Sequence, residues 1–298
     1  MRFARSLLLG VVGLGLAACA DADLGPTTAK IPPLAFVRYV NAMPDTLNTT
    51  VRWIDEIEFT PQTFINVAYR AEGMGSFQGL KAGSRSLRVF TFQQNTNNFP
   101  VDGNTTVLVD TTYTFEAGKY YTMIHAGSAR AGTQRLVIVE DAPPASPSTG
   151  TLLRVYNLSY ALTWDLYLGT TATAVADTGT GLGTNYTAAQ LGTLVASGAP
   201  GTVETVVLPY ASRATGNFGA RLVAQGTTAS LHTRVNGPAG VAETATLEAA
   251  GGTNVAGSVL SIFVFDRKTA GSPASTGANA RPSVLWTVDR SPARTIAP

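Results

Sequence analysis

The side chains that could do chemistry here are few and scattered. The sequence has two histidines, His125 and His232, and one cysteine, Cys19. Neither histidine lies in a local motif that would join a nucleophile, a base and an acid. His125 closes the run Tyr120 to His125, and His232 stands between Leu231 and Thr233, so each could lie on an exposed strand face, and a partly buried or surface histidine is the expected role of both. A zinc centre needs three or four His, Cys or carboxylate ligands at paired spacings. These are missing, and neither a metal nor a cofactor is expected. Asp102-Gly103-Asn104 and Asp21-Ala22-Asp23 could offer oxygen atoms to calcium. Neither continues into the spaced acidic series of a calcium loop, and turn formation is the simpler use of Asp-Gly-Asn. A hydrolase acting on a polymer would need a carboxylate pair, drawn from Asp55, Glu56, Glu58, Asp110 or Glu116. Their spacing prefers no pair. No glycine-rich phosphate loop joins a strand to a helix, which removes nucleotide binding. Trp53, Trp164 and Trp286 lie in strand-like runs, where filling a core is the expected role. Tyr160, in a turn, is the candidate for an exposed ligand platform.

The elements that must position these residues read as strands. From Leu34 onward, short runs rich in Val, Ile, Phe, Tyr and Thr alternate with Gly, Asn, Asp and Pro. Arg88 between Leu87 and Val89 gives the period of two of a half-buried strand. Ser258 to Phe265 is the most apolar run after residues 1–18 and fits a central strand. Gly118 between Phe115 and Tyr120 suggests a hairpin turn. Gly169 to Gly201 is rich in Gly, Ala and Thr and reads as a long loop or a short irregular helix near Ala188 to Leu194. Charged residues make up 13% of the chain and hydrophobic ones 45%, enough apolar material for folded domains. No Lys/Arg cluster is present to neutralise phosphates, which argues against nucleic acid and against a polybasic membrane patch.

The Pro- and Ser-rich stretch 142–150 reads as a linker, because its prolines remove backbone donors. After it the pattern starts again. Leu153-Arg154-Val155-Tyr156-Asn157 echoes Val37-Arg38-Tyr39-Val40-Asn41, with arginine and asparagine at the same spacing. Tyr69-x5-Gly75-x-Phe77 is echoed by Tyr210-x5-Gly216-x-Phe218, and Leu136 to Glu140 before Pro143 by Leu285 to Asp289 before Pro292. These echoes point to a duplicated unit. The expected fold is all-β: two tandem antiparallel β-sandwiches, at 35–141 and 151–292, with a tail at 293–298.

The amino terminus has the plan of an export signal. Arg2 and Arg5 precede an uncharged run from Leu7 to Leu16, and small residues lead to Cys19. The run is about ten residues, short of the roughly 20 needed to span a bilayer. Residues 1–18 therefore read as a signal peptide and 19–34 as a tether. Losing Arg2 and Arg5 from the 21 basic residues brings them level with the 19 acidic ones, so the mature chain is nearly neutral. Leu16-Ala17-Ala18-Cys19 resembles the lipobox of bacterial lipoproteins. The resemblance implies a lipid on Cys19, cleavage before it and anchoring by more than one acyl chain. Ala20 after the cysteine implies the outer membrane.

The echoed motifs, Arg38 to Asp45 above all, resemble the bacterial family called domain of unknown function 4397. That likeness covers 35–145 and, more loosely, 151–292, where Ser159-Tyr160-Ala161 replaces Pro44-Asp45. It implies an exported, often lipid-anchored, immunoglobulin-like protein with no assigned activity. The sequence thus leads to a non-enzymatic envelope protein, exposed to the periplasm or the surface. It would present loops such as Asn41 to Asn48 or Gly169 to Gly201 to a protein or polysaccharide partner. A structural spacer is the second reading and a secreted hydrolase the third.

Overall fold

A computed structural model describes residues 32–55, 64–73, 75, 77–91, 106–170, 191–199, 208–228, 231–273 and 275–295. Residues 33–298 form one compact unit, and the lipobox residues Leu16, Ala17, Ala18 and Cys19 lie outside the described residues. Two sheets come from the first half of this unit. One is built on β1 (Leu34–Asn41), with β3 (Ala71–Glu72) and β4 (Gln78–Lys81) on one side, then β7 (Tyr120–Ala126) and β8 (Arg135–Glu140) on the other. Its companion has the order β2 (Thr49–Trp53), β5 (Gly83–Thr91), β6 (Val107–Phe115).

The second half follows the same plan. One sheet runs β12 (Ala211–Arg213), β9 (Thr151–Asn157), β15 (Val259–Phe265), β16 (Ser283–Arg290). The other runs β11 (Thr193–Gly198), β10 (Trp164–Thr170), β13 (Phe218–Ala224), β14 (Leu231–Asn236). Among the described residues no helix is long and apolar enough to cross a membrane.

Side-chain alternation explains how the sheets stack. In β1, Ala35, Val37 and Tyr39 enter a core shared with Val51, Trp53, Leu87, Val89 and Phe115 of the companion sheet. In β9 and β15, Leu153, Val155, Leu260, Ile262 and Val264 do the same against Trp164, Leu166, Ala220 and Leu222. The intervening residues point the other way and meet each other. Val40, Ile124 and Ala126 pack with Tyr156, Phe263 and Phe265 in a third apolar cluster between the halves. β1, β7, β9 and β15 are therefore covered on both faces, which is why their runs are almost continuously apolar.

The all-β sandwich expectation holds, with a difference in direction. β1 pairs with β7 in parallel, and β9 with β15 in parallel, so the sheets are mixed. The chain leaves each first strand, builds the companion sheet and returns in the same direction, a crossover that a parallel pair requires. For the same reason Gly118, at φ +77°, turns the chain between sheets and closes no hairpin, since β6 and β7 pair with different neighbours. Residues 142–150 carry no strand, yet they are packed down. Pro143 is buried and accepts a bond from Arg290, and the Gly150 carbonyl accepts one from the Gly257 amide. Within the stretch Ala188 to Leu194 expected as an irregular helix, Leu191 is helical and Thr193–Gly198 forms β11; residues 171–190 lie outside the described residues.

Candidate functional site

The face of each half that meets the other carries one arginine at the centre of its first strand. Arg38 on β1 stands opposite Thr122 on β7, and Arg154 on β9 opposite Ser261 on β15. Each arginine donates from Nε to that hydroxyl, at 2.8 Å and 3.0 Å. The hydroxyls pass the interaction on. Thr122 donates to Asp141, just past β8, and Ser261 donates to Asp289, on β16.

The arginines also cross between the halves. Arg38 reaches Asp141 of its own half at 2.7 Å and Asp289 of the other at 2.5 Å. Arg154 is bonded to Asp141 and lies 3.9 Å from Asp289. Tyr156 donates to Asp141 at 3.0 Å and Tyr210 to Asp289 at 2.7 Å. Each guanidinium also lies over an aromatic ring, Arg38 over Phe77 at 4.5 Å and Arg154 over Tyr210 at 4.3 Å.

Two positive and two negative charges are thus buried together with their donors and acceptors matched, the condition under which burying charge is tolerable. Burial alone would lower the Arg38 pKa, but Asp289 and Asp141 outweigh it and raise the pKa above its ordinary value. Burial would raise Asp141, and Arg38 and Arg154 bring it below the usual carboxylate range. Burial and the neighbouring carboxylates raise Tyr156 and Tyr210. The cluster is a fastening between sheets. Asp141 is held ionised and the phenols of Tyr156 and Tyr210 neutral.

The loops at the carboxyl ends of the parallel pairs converge on one end of the molecule. Asp45, after β1, accepts from Ser128 Oγ and from the amides of Ala129 and Arg130, after β7. In the second half the roles are exchanged: Asp266, after β15, accepts from Ser159 Oγ and the amides of Tyr160 and Ala161, after β9. The two pairs of loops are then joined. The Thr269 amide and Ser272 hydroxyl donate to the Pro44 carbonyl, Lys268 Nζ to that of Thr46, Arg130 to that of Gly271, and Tyr69 to that of Asp266.

Tyr160 sits at this end, 41% exposed, with its hydroxyl 3.5 Å from that of Thr269. Among the described residues it is the aromatic sequence candidate that stands where a partner could touch it. The stretch Asn41 to Asn48, expected to present itself as a free loop, is instead buried through Thr46 beneath the second half's loops. Of Gly169 to Gly201, Gly169, Thr170 and residues 191–199 are described, and the Leu191 side chain is buried.

The remaining candidates do not come together. Trp53 and Trp164 are buried in the two cores, and Trp286 is half-buried with its indole N–H on the Val235 carbonyl. Asp55 is paired with Arg85, Asp110 with Arg88 and Glu116 with Lys119, so these carboxylates serve separate ion pairs. Glu56, Glu58 and the turns holding Asp102 and Asp21 lie outside the described residues. Among the described residues no three His, Cys, Asp or Glu side chains are gathered as a metal would need.

His125 is wholly buried, because both faces of β7 are covered, where a partly buried or surface position was expected. Its Nδ1 is 3.3 Å from the Tyr39 hydroxyl, and its Nε2 has no partner among the described residues. Burial pushes its pKa down to about 4, against a smaller opposing effect of Asp45. His232 lies in β14, and its side chain is outside the described residues.

The arginine–asparagine echo proves to be spatial. Asn41 and Asn157 each accept from the amide two residues on, starting the turn after the strand. The tyrosine echo is not. Phe77 just before β4 matches Tyr210 just before β12, each over its arginine, while Phe218 opens β13 in another sheet. Sequence reasoning missed Asp141, placed at the edge of the linker. The signal was available in the acidic residue shortly before proline that ends both halves.

No curated protein matches the chain. The family model described as Domain of unknown function (DUF4397) matches residues 35–167, a span that takes in Arg38, Asp141 and Arg154, and this part of the chain is similar to one copy of that domain.

Proposed function

We propose that this chain is a lipid-anchored envelope protein that binds and does not catalyse. In this reading it consists of two tandem copies of one immunoglobulin-like sandwich, exported by residues 1–18 and held in the outer membrane through Cys19. Its shared loop end is offered to a protein or polysaccharide partner. The observation that carries the reading is the placement of Tyr160, an exposed ring on a rigid platform made by loops of both halves. An amphipathic aromatic held in place loses little entropy on binding.

The test uses the Cys19→Ala chain, alone and with Tyr160→Ala, passed over immobilised envelope polysaccharide and envelope proteins. Retention that falls at least tenfold with Tyr160→Ala supports the reading. Equal retention of both, or none of either, overturns it. Fractionation of cells tests the anchor: the wild type should remain with membranes and the Cys19→Ala form should be released. The buried join favours a second reading, a stiff structural spacer, which predicts that envelope assembly fails without the chain while Tyr160→Ala has no effect.

A further inference from the structure

The segment Tyr69 to Gly73 straps the first half onto the second. Tyr69 donates to the Asp266 carbonyl, and Arg70 donates to the carbonyls of Asp266 and Arg281. Three backbone contacts hold the strap to β1: the Arg70 amide on the Asn41 carbonyl, the Gly73 amide on the Tyr39 carbonyl, and the two-residue β3 pairing. Arg70 is at φ +65°, a left-handed conformation that costs a side-chain-bearing residue energy. The strap pairs with β1 over two residues only, where β4 and β7 pair with it over four and six, so it opens more readily than the strands beneath it.

Glu72 is on this strap, opposite Val40. Its carboxyl faces the buried cluster, with Arg38 of β1, Asp289 of β16 and Asp141 after β8 as its charged neighbours. The cluster is already balanced without it: Asp141 and Asp289 occupy the two guanidinium groups. Glu72 Oε1 is buried with no hydrogen-bond partner among the described residues. Ionised, Glu72 would add a third negative charge to two positive ones where water cannot reach that oxygen. Neutral, it adds none.

We propose that Glu72 makes this strap a proton-sensitive clasp between the two halves, tightened by acid and loosened toward neutral pH as the carboxylate is drawn out to water. The charge arithmetic agrees with the direction of its titration. Burial pushes the carboxyl from 4.5 up to about 7, Arg38 opposing and Asp289 and Asp141 adding to the rise. A carboxyl whose pKa is higher closed than open favours the closed form fully below the open value. The advantage is then lost as pH rises, by up to about tenfold per unit, and is gone above the closed value.

The experiment is amide hydrogen exchange of the full chain at Arg70 and Gly73 from pH 4 to 8.5, corrected for intrinsic rates, on the wild type and Glu72→Gln. The expected result is that strap opening in the wild type, relative to the variant, grows by at least thirtyfold between about pH 4.5 and 7 and then levels off. Identical profiles would overturn the proposal. Should Glu72→Gln fail to fold, the carboxyl carbon of Glu72 can be followed by NMR in the wild type. A midpoint near 7 that coincides with the opening transition supports the clasp, and a midpoint below 5 overturns it.

Discussion

The two arginines and the histidine show how far a residue's type fixes its state. Arg38 and Arg154 stay charged in the interior because carboxylates, hydroxyls and aromatic faces meet every side of them. His125 has no such company on Nε2 and is held neutral. Its folded pKa is about 4 against an ordinary 6.5, so the stability it contributes is complete above 6.5 and is lost as pH falls toward 4. The loss should be about 3 kcal/mol. Urea unfolding at pH 7 and pH 4.5 should show a smaller acid loss for His125→Asn than for the wild type. Glu72 acts in the opposite direction over much of this window and is common to both proteins, so it cancels from the comparison. The Arg-x-x-Asn echo was legible because those positions repeat in sequence. The Phe77–Tyr210 correspondence was not, because the chain between each first strand and its next neighbour differs in length.

At the level of elements, the same local pattern leads to opposite outcomes. Arg88 between Leu87 and Val89 and Arg38 between Val37 and Tyr39 look alike, yet Arg88 is partly exposed and Arg38 is 1% exposed. Alternation gives the period of the strand and leaves open what covers its second face. β15 was legible as a central strand because its apolar run has no polar face beyond Ser261, and all seven of its residues are buried. Phe263 is the test of that burial. It stacks on Tyr156 at 4.4 Å in the layer between the halves and lies 5.1 Å from the Arg38 guanidinium. Phe263→Ala should cost about 3–5 kcal/mol in chemical denaturation, as for a large cavity in a core. A cost below about 1 kcal/mol would mean that this layer is loosely packed.

Across the whole molecule, the layer between the halves ought to make them one cooperative body. It combines apolar packing with a charge cluster that neither half completes alone, since Asp289 needs Arg38 and Arg154 needs Asp141. Calorimetry of the full chain should show a single transition whose calorimetric and van't Hoff enthalpies agree. Arg38→Ala leaves Asp289 and Asp141 a guanidinium short and should lower stability by about 3–5 kcal/mol. The whole transition should move. Two separate transitions, one of them unmoved by Arg38→Ala, would show that the halves melt independently.

The sequence by itself determined the strand texture, the central place of β15, the core roles of Trp53 and Trp164, and the arginine at the centre and the asparagine at the end of both β1 and β9. All of these follow from periodicity, local turn chemistry or repetition, which are written along the chain. Only the tertiary structure decided that the two middle sheets lie back to back, that Asp141 and Asp289 neutralise Arg38 and Arg154 across the join, and that Asn41 to Thr46 is roofed over while Tyr160 stays open. Those outcomes depend on which faces meet across separations of more than a hundred residues, and a charge's cost or benefit in the interior is set by partners that no local pattern names.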